Sequence, residues 1–205
     1  MAQHAVRRRM PRDQRAAQLL DVAELLFTER GYASTTIEDI ARVAGVTRPV
    51  VYEHHGDKEG IYLACVRRAR RALEEEIRAV SSAVDDPKQK MTVGSDAYFR
   101  TLEDDARRWA LLSGPAGLAA DTLARELDVE HRQTVNVIAE IYRGYAAGAD
   151  LLDLEALAHG VTGAAEQLAR WWLAHPEVPR SKVVQHHIDL VWPRVRQVMG
   201  LRDAP

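Results

Sequence analysis

The chain has 205 residues, 46% of them hydrophobic and 28% charged, the balance of a globular protein with a buried core rather than a disordered chain. No apolar run approaches the roughly 20 residues that cross a bilayer. The basic N-terminus has no apolar stretch behind it and is not a signal peptide, and the single cysteine, Cys65, excludes an internal disulfide framework and fits a reducing cytoplasm. The net charge of −2 argues at first sight against a nucleic-acid partner. It averages an uneven distribution, because the first 15 residues set Arg7, Arg8, Arg9, Arg12 and Arg15 against Asp13, a net of +4. Such a block is either a solvated tail or an arm for nucleic acid.

Apolar residues recur at helical spacing along most of the chain and strand-like alternation is nearly absent, so the fold class is all-α. The first helix runs from about Pro11 to Arg30, with Leu19, Ala23, Leu26 and Phe27 facing inward and Gly31 as its stop. Thr36 caps a short second helix with Asp39 three residues on. Ala44-Gly45-Val46 is a tight turn, and Thr47 with Pro49 opens a third helix that reaches about His54. Asp57 caps a long fourth helix to about Val84, striped by Tyr62, Cys65, Val66, Ala69, Leu73, Ile77 and Val80. Asp85-Asp86-Pro87 ends it. Five more helices follow, at about 91–112, 115–127, 128–148, 153–174 and 180–199, for about nine in all. Pro193 kinks or ends the last one.

Short helices joined by a glycine turn make a helix-turn-helix. Ala41 is small where the helices cross, Gly45 permits a left-handed turn, and Ile40, Val46 and Val51 lock the pair. These residues, together with Gly31-Tyr32, Thr35-Thr36, Asp39-Ile40-Ala41, Ala44-Gly45-Val46-Thr47, Tyr52, His54 and Lys58-Glu59, resemble the N-terminal signature of TetR-family transcriptional regulators over about residues 14–63. Two positions depart from that pattern. His55 stands where the family usually packs a phenylalanine, and Gly60 where it has ordinary helix formers.

The resemblance implies that the third helix enters the major groove of double-stranded DNA and presents Thr47, Arg48, Pro49, Val50, Tyr52, Glu53 and His54. The planar fork of Arg48 suits guanine O6 and N7, or else a phosphate. Pro49 and Val50 either touch thymine methyls or only start the helix. Tyr52 is a phosphate donor by its place in the family, and Glu53 either accepts from cytosine N4 or, the favoured reading, faces away from the phosphates. Thr36 and Lys58 sit at helix N-termini, where free N–H groups already favour phosphate. Adjacent His54 and His55 point about 100° apart on one helix, which argues against a metal site. No cofactor is implied. The arm of residues 1–10 is expected to add sequence-independent, salt-sensitive affinity.

Residues 1–60 thus form the expected DNA-binding domain, with its arm, and residues 61–205 a ligand-binding and dimerisation domain. One recognition helix reads too few bases, so a homodimer on a palindromic operator is expected. The last two helices are its seam in the family. Val184, Ile188, Val191 and Val195 recur at three- and four-residue spacing, and Gly160, Gly163 and Ala164 allow close approach. Tyr98, Phe99, Leu102, Trp109, Val135, Ile138, Tyr142 and Trp171 supply walls either for an effector pocket or for plain core. Gln167, with His131, Glu166, His159 and Arg108, supplies sparse polar contacts. In the family a small molecule, here a hydrophobic or aromatic one, releases the repressor from DNA. A ligand-free regulator or an activator fits the same residues. Nucleophile-elbow, phosphate-loop and dinucleotide motifs are all missing, so no enzyme is expected. His186-His187-Ile188-Asp189, the nearest acid–base cluster, reads as a solvated helix face.

Overall fold

The computed structural model describes residues 10–114, 122–144 and 149–201, without the side chains of residues 107, 108, 110 and 113. Arg7, Arg8 and Arg9 of the basic arm and the side chain of Arg108 therefore lie outside the described residues. Nine α-helices and no strand occur among the described residues. The chain divides into two compact units, one ending at Cys65 and the other beginning at Val66.

The first unit holds α1 (Arg12–Ser34), α2 (Ile37–Ala44), α3 (Arg48–His55) and the start of α4 (Lys58–Ser82). In α1 the helix breaks at Gly31, whose φ of 79° and ψ of 164° lie outside helical space, and one further turn follows. Buried Thr35 ties that break down by donating its hydroxyl to the Leu26 and Gly31 carbonyls at 3.2 and 2.9 Å. Leu19, Ala23, Leu26, Phe27, Ile40, Val51 and Ile61 form the core, each at most 4% exposed. Phe27, Tyr32 and Tyr62 add a three-ring cluster with centroids 4.8 to 5.9 Å apart.

The second unit holds the rest of α4 with α5 (Pro87–Asp104), α6 (Ala106–Ser113), α7 (Thr122–Arg143), α8 (Leu151–Leu173) and α9 (Arg180–Val198). Helix α9 packs on α5 and on α8, and α7 packs on α8. Phe99, fully buried, lies at the centre, edge-on to Trp172 and His187 at 6.1 and 5.9 Å. Burying such a ring contributes about 1.5–3 kcal/mol.

Several helix ends differ from the sequence reading. The expected break at Asp85-Asp86-Pro87 does part α4 from α5, but Pro87 itself opens α5, four residues before the expected start, because it needs no N–H in a first turn and Asp86 accepts from Gln89 N–H at 2.7 Å. The expected helix at 91–112 is two, parted at Asp105 where φ is −154° and ψ 89°. No break falls at 127–128, since the carboxylate of Asp128 pairs with Arg132 on the surface of a continuous α7 instead of capping a new helix. Helix α9 runs through Pro193 to Val198, so that proline does not end it.

Candidate nucleic-acid interface and interior cavity

The geometry between α2 and α3 follows from a few local choices. Thr36 and Asp39 form a reciprocal capping box: Asp39 N–H donates to Thr36 Oγ1 at 3.1 Å, and Thr36 N–H to Asp39 Oδ2 at 3.2 Å. The Thr36 hydroxyl bond, then Arg42 at 2.7 Å, pull the Asp39 carboxyl down to about 2. Gly45 ends α2 with φ 67° and ψ 34°, the left-handed conformation that a side chain resists. Val46 N–H then donates to the Ala41 carbonyl at 2.9 Å. Val51, fully buried, fastens α3 against the core.

What α3 leaves outside is the candidate reading face. Thr47, Arg48, Pro49, Tyr52 and Glu53 are exposed, and Val50 and His54 half-buried. Thr47 occupies the cap position without a side-chain cap bond. Arg48 stands 3.5 Å from Glu38, and Tyr52 one turn on, then Glu38, hold its guanidinium above the ordinary value. Lys58 donates to the Ala33 carbonyl at 3.3 Å and lies 4.3 Å above the Tyr32 ring. Burial lowers its ammonium below the usual lysine value. Thr36 is exposed at the start of α2.

Both departures from the family pattern have a structural reason. Half-buried His55 takes the phenylalanine's place and donates Nε2–H to the Ala16 carbonyl at 3.2 Å, an anchor that a phenyl ring lacks. Gly60 donates its N–H to the Asp57 carboxylate at 2.8 Å. A Cβ at Gly60 would stand 2.2 Å from the His55 carbonyl oxygen, so α3 and α4 here approach too closely for any other residue.

The second unit encloses a cavity of about 70 Å³ between α4, α5, α6, α7, α8 and α9. Of the expected pocket residues, Tyr98, Trp109, Ile138, Tyr142 and Glu166 line it, with Trp109 Nε1–H donating to the Tyr98 hydroxyl at 3.1 Å. Phe99 and Leu102 are core instead, and Val135 packs with Ala139 and Ala158 in a separate cluster. Gln167 is exposed, as is Trp171, which stacks on His175 with centroids 4.8 Å apart; both sit on the outer side of α8.

Sequence reasoning missed Arg70, Ser95, Thr134 and His187, which also line the cavity. A usable signal existed for Arg70, a charge lying four residues after Val66 and three before Leu73 on the buried stripe of α4. His187 is 2% exposed, not on a solvated face as expected, because it falls on the same inward stripe as Val184 and Val191. Its Nε2 donates to the Val161 carbonyl at 3.0 Å and its Nδ1 meets Ser95 Oγ at 2.9 Å.

The expected dimer residues divide. Val184, Ile188, Val191 and Val195 are each at most 8% exposed and already covered by their own chain, so they do not stand free for a partner. Gly160 is exposed, and Gly163 and Ala164 are half-buried. The large apolar side chains left open on α8 and α9 are Leu151, Leu152, Trp171, Leu173 and Leu190; Trp171 and Leu190 are 38% and 64% exposed, with His186 edge-on to Trp171. No helix among the described residues is long and apolar enough to cross a membrane, and no metal-binding cluster occurs among them.

Residues 19–65 match bacterial regulatory proteins of the tetR family. Over 185 residues, 90% of this chain and 84% of the relative, the sequence is 25% identical to the HTH-type transcriptional activator FasR of Mycolicibacterium smegmatis. A TetR-like transcriptional regulator from Rhodococcus sp. RHA1 shares the fold with a TM-score of 0.67 at 21% identity, over 94% of this chain and 100% of that one. The transcriptional regulator FadR of Bacillus subtilis, solved in complex with stearoyl-CoA, does so with a TM-score of 0.70 at 15% identity, over 91% and 99%. These relatives are regulators and not enzymes. Residues 19–65 thus carry the helix-turn-helix of the tetR family of bacterial regulatory proteins, and the chain is similar along most of its length to HTH-type transcriptional regulators.

Proposed function

We propose that the chain acts in the cytoplasm as a homodimeric repressor that a small apolar effector releases from a palindromic operator. The observation that carries this reading is the pairing of an open α3 face, with Arg48 and Tyr52 exposed, and an apolar-walled cavity in the second unit. Thr47, Arg48, Pro49 and Val50 read bases or set the helix in the groove. Tyr52, His54, Thr36 and Lys58 hold phosphates. A second copy adds the other half-site through the outer sides of α8 and α9, where Gly160, Gly163, Trp171 and Leu190 are accessible.

The cavity of about 70 Å³ is far smaller than the roughly 300–1,000 Å³ of pockets that enclose a whole small molecule. An effector must widen it, and that is a differential affinity for two states. Helix α4 runs without a break from the reading unit into the cavity wall and is the natural carrier of the change. A hundredfold release requires about 2.7 kcal/mol of coupling. That a protein of similar fold was solved with stearoyl-CoA supports an acyl-bearing effector.

The name of the relative FasR, an activator, favours a second reading in which the same DNA contacts recruit rather than block. Mobility-shift titrations with an operator selected from random DNA, followed by transcription in vitro, test the proposal. Loss of transcript with bound protein, restored by effector, supports repression. A rise in transcript assigns activation.

A further inference from the structure

We propose that the cavity takes an elongated apolar monocarboxylate whose carboxylate seats on Arg70. This rests on the effector reading above and names the ligand's chemistry.

Arg70 is 9% exposed, yet no Asp or Glu among the described residues reaches ion-pair distance from it. Its Nη1 donates to Thr134 Oγ1 at 3.3 Å and its Nη2 to the Leu112 carbonyl at 2.7 Å, while the buried Nε has no acceptor among the described residues. A buried cation with an unused donor is costly unless something completes it. Glu166, Glu74 and Glu130 offset its charge at a distance, but their hydrogen bonds go to other partners. Glu74 accepts from Thr134 Oγ1 at 2.7 Å, and Glu166, which lines the same cavity, faces His131 Nδ1 at 3.2 Å. Burial pushes the Glu166 carboxyl up, but His131, with help from Arg70 and Arg170, holds it below the ordinary value. Among the described residues the buried side-chain polar atom left without a partner is this Nε–H, which asks for an oxygen acceptor, and a carboxylate meets a guanidinium in its preferred geometry.

The shape follows from α4. From Arg70 to Ser81 the helix advances about 16 Å, and the lining residues between them, Leu73 and Ile77, are aliphatic. At the far end Lys90 donates to the Ser81 carbonyl at 2.5 Å, and a neighbouring surface groove shares Ser81, Lys90 and Ile141 with the cavity. A ligand therefore has its acid at the Arg70 end and its tail toward the groove. An acyl thioester with its bulky headgroup outside would be reversed, leaving its tail methyl against the guanidinium.

Isothermal titration of the full chain with octanoate, methyl octanoate and octanoyl-CoA decides the matter, with longer and shorter members of each series alongside. The acid is expected to bind roughly tenfold or more tightly than its ester, the share of one charge-assisted hydrogen bond. Arg70→Met is expected to abolish that preference, and Arg70→Lys to keep part of it. The acid–ester comparison on the wild-type chain stands even where a variant fails to fold. Equal or tighter binding of the ester or thioester, with release from DNA, overturns the carboxylate and leaves the effector reading intact. No binding by any member of the three series overturns both.

Discussion

Arg48 Nη1 lies 3.5 Å from a carboxylate oxygen of Glu38, so the side chain best suited to guanine is held by an acid of the preceding helix before any DNA arrives. Binding must exchange that acid for a base edge or a phosphate. Glu38→Gln is expected to tighten operator binding several-fold at low salt by removing the competitor and a repulsive charge. Arg48→Ala is expected to weaken it roughly 5- to 100-fold, with the loss concentrated at one base pair of each half-site. Uniform weakening over all operator variants makes Arg48 a phosphate contact.

Gly60 is the most crowded of the described glycines, with the His55 carbonyl oxygen 2.2 Å from where a Cβ would go. Gly60→Ala, normally a helix-favouring change, is expected to destabilise the protein by about 1–3 kcal/mol. A thermal melt with Tm unchanged or raised would contradict the close approach of α3 and α4.

Acid weakens the fold through its buried histidines. Burial lowers His187 and His55 below the ordinary value of 6.5, against the opposing pull of the Val161 and Ala16 carbonyls. The unfolded chain then binds more protons than the folded one, so stability is lost as pH falls through and below about 6.5. Circular-dichroism melts at pH 7.5 and 5.5 are expected to show a lower Tm at 5.5, with a smaller drop in His187→Asn. Identical pH dependence in that variant removes His187 from the account.

Leu190 is 64% exposed and Trp171 38% exposed on the two helices assigned to the dimer seam. Leu190→Arg is expected to shift sedimentation toward a monomer and to remove operator binding while the helical spectrum is retained. An unchanged dimer places the seam elsewhere.

The reading unit was legible because its determinants are local. Thr36 with Asp39, Gly45 and Pro49 each act within a turn, and the spacing of Ile40 and Val51 follows from how two short helices cross. The second unit was not, because a helical stripe says that a face is covered without saying by what. Val184 and Ile188 read equally as seam or core, and only the packing of α9 on α5 and α8 makes them core. Arg70 reads as a mere interruption of the α4 stripe, and His187, between His186 and Asp189, as part of a solvated face. The missed break at Asp105 and the false one at 127–128 share a cause, since an aspartate suits a cap, a loop or a surface ion pair alike.

Selection of bound sequences from random DNA tests the central claim most directly. The account predicts enrichment of an inverted repeat with half-site centres about 10 base pairs apart, or a multiple of that. The same selection with Arg48→Ala should relax one base pair in each half. Recovery of no motif, or of a motif that Arg48→Ala leaves unchanged, would contradict it.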